Sequence, residues 1–153
     1  MWQQTVSNIS ERGKSMPRRI NETKYGMSHR RYRMLVDFCY LYPEWQQWLQ
    51  DHKDTVGSPV VDGLPHGKGG TGEPTADLAI KRAEIEQNVR MVEETAKEAA
   101  GNFVRWLLLD VCNPEISFQQ LKWRYDIPCG TVRSFEFRKK FFILLNKKGT
   151  IKI

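Results

Sequence analysis

ISFQQLKWRYDIPCGTVRSFEFRKKFF, running from Ile116 to Phe142, decides the fold. Ser117 is followed three positions later by Gln120, the spacing at which each side chain can satisfy the other's backbone N–H at a helix start. Ile116 and Leu121 stand where a hydrophobic staple packs, so a helix is expected to begin sharply at Phe118. Phe118, Leu121 and Tyr125 face inward in this reading, and Lys122 and Arg124 outward. The helix should stop near Asp126. Ile127 is placed to plug the corner between two helices, and Pro128, which cannot continue a helix, can begin one. A second helix is then expected from about Cys129 to Asn146. Its inward candidates are Val132, Phe135, Phe142 and Leu145, which leaves Arg133, Ser134, Phe137, Arg138 and Lys140 at least partly outward.

Two helices meeting at such a corner fit a DNA-binding helix-turn-helix. There the second helix presents short and cationic side chains near its N-terminus to base edges, while flanking cations hold phosphates. Thr131, Arg133, Ser134 and Phe137 are the candidates for the first task. Arg138, Lys139, Lys140, Lys122 and Arg124 are suited to the second. The plainer reading is a helical hairpin with a solvated basic side; the helix-turn-helix is favoured over it.

Working outward, Asn102–Cys112 is apolar on most faces, as a buried short helix would be, and Asn113-Pro114 ends it. Before it, Thr75–Ala100 is rich in Ala, Glu, Lys and Arg. Leu78, Ile85, Val92 and Ala99 recur every seven residues, with Val89 and Ala96 between them and Arg82 as the exception. This seam can pack on the chain's own helices or on a second copy, and the former is preferred. Gly101 should end that helix. Residues 54–74 hold six of the eleven glycines and three of the seven prolines, so they read as a linker. Their GKGG lacks the glycine spacing and the preceding strand of a phosphate loop. Residues 28–53 read as a helical hairpin. Tyr32, Leu35, Val36 and Cys39 line one face after a Ser28 cap, and Pro43 opens a second helix bearing Trp45, Trp48 and Leu49. Met1–Met27 is polar, without sustained periodicity, and reads as a flexible basic arm or a plain tail. The expected fold is all-α: a small helical bundle, with residues 75–153 as a helical domain ending in a helix-turn-helix.

Charge is unevenly distributed. Met1–Met34 carries eight Lys/Arg against two acids, Leu35–Ala100 six against twelve, and Gly101–Ile153 ten against four, or +6, −6 and +6. Basic ends around an acidic middle favour an anionic partner for the ends, although a solvated basic face needs no partner. The three cysteines, Cys39, Cys112 and Cys129, are far apart, as are His29, His52 and His66, so no metal site or cofactor is expected. No Ser/His/Asp or Cys/His arrangement stands out, and binding rather than catalysis is expected. No apolar run approaches the roughly 20 residues that cross a bilayer, and no secretory signal opens the chain, so the expected location is the cytoplasm.

Ile127, Gly130-Thr131-Val132, Arg133-Ser134 and Arg138-Lys139-Lys140 resemble the helix-turn-helix of the fourth region of bacterial sigma factors. Phage late-gene transcription regulators of the RinA and ArpU type share that unit. The segment around Asp62-Gly63-Leu64-Pro65 and Gly72-Glu73-Pro74-Thr75 is similar to the Pro/Gly connector those regulators place before their central helix. The resemblance covers roughly residues 60–148. Asp126 stands where that family often has glycine, and Pro128 replaces the usual Ser cap. The resemblance implies a phage or prophage transcriptional regulator in a bacterial host cell, with double-stranded DNA as partner, host RNA polymerase as a further one, and a homodimer as one form. Two alternatives stand beside it: a small terminase-like DNA-packaging subunit, and a phage accessory protein that binds and inhibits a host protein.

Overall fold

The computed structural model describes residues 19–53 and 74–149. The chain is all-α, as expected, with no strand among the described residues. A one-turn helix α1 (Glu22–Tyr25) leads into α2 (His29–Tyr40) and α3 (Tyr42–Asp51). The long α4 (Pro74–Ala100) follows, then a single 3-10 turn at Gly101–Phe103, α5 (Val104–Cys112), α6 (Phe118–Tyr125) and α7 (Thr131–Lys147). The linker reading for 54–74, except Pro74, and the first eighteen residues of the arm lie outside the described residues.

Local chemistry accounts for most of these boundaries. Ser28 Oγ accepts from the Arg31 N–H at the start of α2. Pro43 occupies the first turn of α3, where its missing N–H leaves no bond unmade. Gly101 ends α4 at φ +55°, a left-handed conformation that a side chain would resist. The sequence misjudged residues 19–27. Asn21 Oδ1 caps the short α1 by accepting from the Lys24 N–H, and Gly26 closes it at φ +64°. Met27 is buried, with Ile20 and Tyr25 packed alongside, so this part of the arm belongs to the core.

One core joins the N-terminal hairpin to the C-terminal helices. Phe38, Leu35, Val36 and Cys39 of α2 meet Val92, Ala96 and Ala99 of α4, Val111 of α5, and Phe141, Phe142 and Leu145 of α7. Tyr32 meets Phe142 edge-on at 4.9 Å. Burial of each such aromatic or aliphatic side chain stabilises the fold by roughly 1.5–3 kcal/mol. The seam of α4 is therefore covered by this chain's own helices. Its exception has a use: Arg82 donates from Nη1 to the His52 carbonyl at 3.0 Å, satisfying the end of α3. Tyr42 Oη donates to Glu93 Oε1 at 2.7 Å and ties the other end of α3 to α4. Trp45 packs edge-on against Phe38 at 4.9 Å, and the Trp48 ring carries Lys81 Nζ 5.3 Å above it.

Candidate nucleic-acid interface

The α6–α7 unit is shaped by its termini. Ser117 Oγ accepts from the Gln120 N–H at 3.3 Å, and Gln120 Oε1 accepts from the Ser117 N–H at 2.9 Å. Both arms of the expected box are present. At its other end α6 stops in a left-handed residue, Asp126 at φ +47°, whose N–H donates to the Lys122 carbonyl at 3.1 Å. Ile127 then turns inward and is buried, as is Leu121 of α6, both apart from the main core. Helix α7 begins at Thr131 after Gly130, with no side-chain cap and no acid in its first turn. Its leading N–H groups are therefore open, and the field there favours an anion.

The inward stripe of α7 differs from the expected one. Ser134, Phe137, Arg138, Phe141, Phe142 and Leu145 face the body, whereas Val132 is 73% exposed and Phe135 62% exposed. The reason is tertiary. Phe141, Phe142 and Leu145 all seat in the main core and set the rotation of the helix. Counting back at 3.6 residues per turn then brings Ser134 and Arg138 inward and turns Val132 and Phe135 out.

This rotation redistributes the candidate residues. Thr131, Arg133 and Lys140 of α7 are exposed, as are Lys122 and Arg124 of α6. The Arg133 guanidinium lies over the Phe103 and Phe137 rings at 5.3 and 5.5 Å, which holds it against the body without neutralising it. Lys139 is half-buried. Ser134 is buried in a crevice shared with Phe103, Trp106, Phe118 and Cys129, and Phe137 is half-buried against Phe103. Neither Ser134 nor Phe137 is placed to read a base edge.

Arg138 is a correction of another kind. It bonds Asp110 of α5 through Nη1 at 3.2 Å and lies 5.6 Å from the Phe142 ring centroid. Burial alone would pull its guanidinium toward neutrality, but Asp110 and Tyr32 outweigh that and hold it charged. Burial pushes the Asp110 carboxyl above its ordinary range, and Arg138 opposes the push. Arg138 thus joins α7 to α5 and is already occupied.

Residues that the sequence did not mark as outward complete the surface. Trp123 of α6 is 91% exposed between Lys122 and Arg124, and Val132, Phe135 and Glu136 share the outer side of α7. The sequence did carry a signal for Trp123: it lies two positions past Leu121, on the opposite side of a short helix. Among the described residues no helix is long and apolar enough to cross a membrane, and no cluster of three or more His, Cys, Asp or Glu converges as metal ligands do. Comparison with known proteins finds no match: no family model matches the chain, and no curated protein or solved structure is significantly similar to it.

Proposed function

We propose that the chain is a DNA-binding protein of the transcription-regulator kind, phage or prophage in origin, with α6 and α7 as its helix-turn-helix. The observation that carries this reading is the open N-terminus of α7: an uncapped, acid-free first turn with Thr131 and Arg133 exposed, flanked by exposed Lys122 and Arg124 of α6. Residues 117–149 carry eight Lys/Arg against two acids, a net +6. A phosphate backbone is the extended anion that such an arrangement suits.

The test is duplex binding by Lys122→Ala, Arg124→Ala and Arg133→Ala variants at several salt concentrations. Each lost phosphate contact should flatten the slope of log affinity against log salt by about 0.9. Wild-type binding that is absent, or insensitive to salt, would sink the reading.

A second reading has its own observation. Trp123, Val132 and Phe135 are large apolar side chains left in water on the same unit, and such exposure on a small protein often marks contact with another protein. A host protein would then be the partner. Trp123→Ala separates the two readings. If it abolishes capture of a nuclease-resistant partner and leaves duplex affinity intact, the exposed Trp123 serves a protein.

A further inference from the structure

The described parts of the two basic segments, more than a hundred residues apart in sequence, meet in the fold. The start of α2 packs on the C-terminal half of α7: Arg31 Nε donates to Asn146 Oδ1 at 3.0 Å, and Tyr32 packs on Phe142. Helix α1 also lies against α7. The C-terminal end of α7 and the start of α2 therefore form one pole of the molecule. Arg19, Lys24, Arg30 and Lys147 are exposed there, and among the described residues none of them has an ion-pair partner. Two acids lie there: Glu98 pairs with Lys148 at 2.9 Å, and Glu22, whose Oε1 accepts from the His29 N–H at 3.0 Å, keeps its charge, so the four cations outnumber it. Like charges gathered on one surface repel, and a polyanion relieves that repulsion.

Helix α7 connects this pole to the α6–α7 corner. Arg133, Lys140 and Lys147 are all exposed and recur every seven residues, so they lie along one side of the helix over about 21 Å. Glu136 is the acid among them. That length is under one turn of duplex, about 34 Å.

We infer that the pole formed by α1, the start of α2 and the end of α7 is a second phosphate-gripping surface, and that a duplex engaged at α6–α7 continues along α7 to reach it. This rests on the DNA-binding reading, but its partner is read from charge alone, and its failure is separable from the failure of that reading. The pole holds backbone and reads no bases. It lengthens the bound segment and adds affinity for any sequence.

The test uses the full chain and a fluorescent duplex of about 20 bp, titrated between about 50 and 200 mM salt. The pole variant is Arg30→Ala/Lys147→Ala, with Lys24→Ala/Lys147→Ala as a second in case the first perturbs α2. The corner variant is Lys122→Ala/Arg133→Ala. Each pole variant should keep wild-type helicity and urea midpoint, bind roughly tenfold more weakly, and show a salt slope shallower by about 1.8, two contacts at about 0.9 each. A pole-variant slope equal to wild type overturns the inference, and the corner reading then stands or falls on its own variant. A shallower pole slope with an unaffected corner variant keeps the pole's grip on phosphate and overturns both the helix-turn-helix and the path along α7. Wild-type protein that binds no duplex at the lowest salt overturns both.

Discussion

Arg138 shows how a single side chain can look like a ligand grip in sequence and serve the fold instead. It stands in an RKK run, and the acid that claims it, Asp110, lies 28 positions earlier on another helix. No local pattern announces that pairing. Asp110→Ala leaves the guanidinium largely buried without its carboxylate, and should lower stability by about 3 kcal/mol in urea unfolding. The double change Asp110→Leu/Arg138→Met should recover most of the loss, because it removes both charges together. If Asp110→Ala were neutral, the pair would be a surface accident. The cysteines give a second test at this scale. Cys39 and Cys112 are buried and Cys129 is partly exposed at the α6–α7 corner. A thiol reagent should therefore titrate one group in the native protein and three in denaturant.

Among the elements, α4 and α6 were legible and α7 was half so. The heptad pattern of α4 and the Ser117/Gln120 box are local rules, and local rules survive folding. The rotation of α7 depended on which of its aromatics met α2 and α4, and SFEFRKKFFILL offers two overlapping apolar stripes. Helix α6 has eight residues and rests chiefly on α5, so its ends matter more than its packing. Ser117→Ala should weaken it by about 1 kcal/mol. Amide exchange across 118–125 should then speed up roughly fivefold, while the global midpoint barely moves. Asp126 holds a left-handed conformation, which glycine adopts without strain. Asp126→Gly should stabilise the corner by roughly 0.5–1 kcal/mol, seen as slower exchange over the same amides. Faster exchange in that variant would mean that the Asp126 side chain contributes more than its backbone strain removes.

At the scale of the molecule, two buried thiols link stability to alkaline pH. Burial pushes the Cys112 thiol up to about 12 from an ordinary 9.0, and burial also raises Cys39 well above its usual value. Well below pH 9 both are protonated whether the chain is folded or not, so they contribute no pH dependence there. Above pH 9 the unfolded chain loses these protons and the folded one keeps them. Stability should then fall by about 1.4 kcal/mol per pH unit for each thiol, until the folded thiol itself titrates. Urea midpoints between pH 8 and 11 would show this, and Cys112→Ala should remove its share of the slope. An all-α chain was legible from composition and periodicity. The meeting of the start of α2 with the end of α7 was not, since it hangs on Tyr32 finding Phe142. One consequence concerns how such a chain could change partners. Helix α7 runs unbroken from Thr131 to Lys147, with its far half wedged by Phe141, Phe142 and Leu145. Turning its tip by one position, about 100°, would unseat all three. The tip therefore works like the bit of a key cut from the same bar as its shank: it cannot be re-aimed, only re-cut. A different surface at the tip would have to come from substitutions at its outward positions, where exchange of Val132 or Phe135 leaves the core undisturbed.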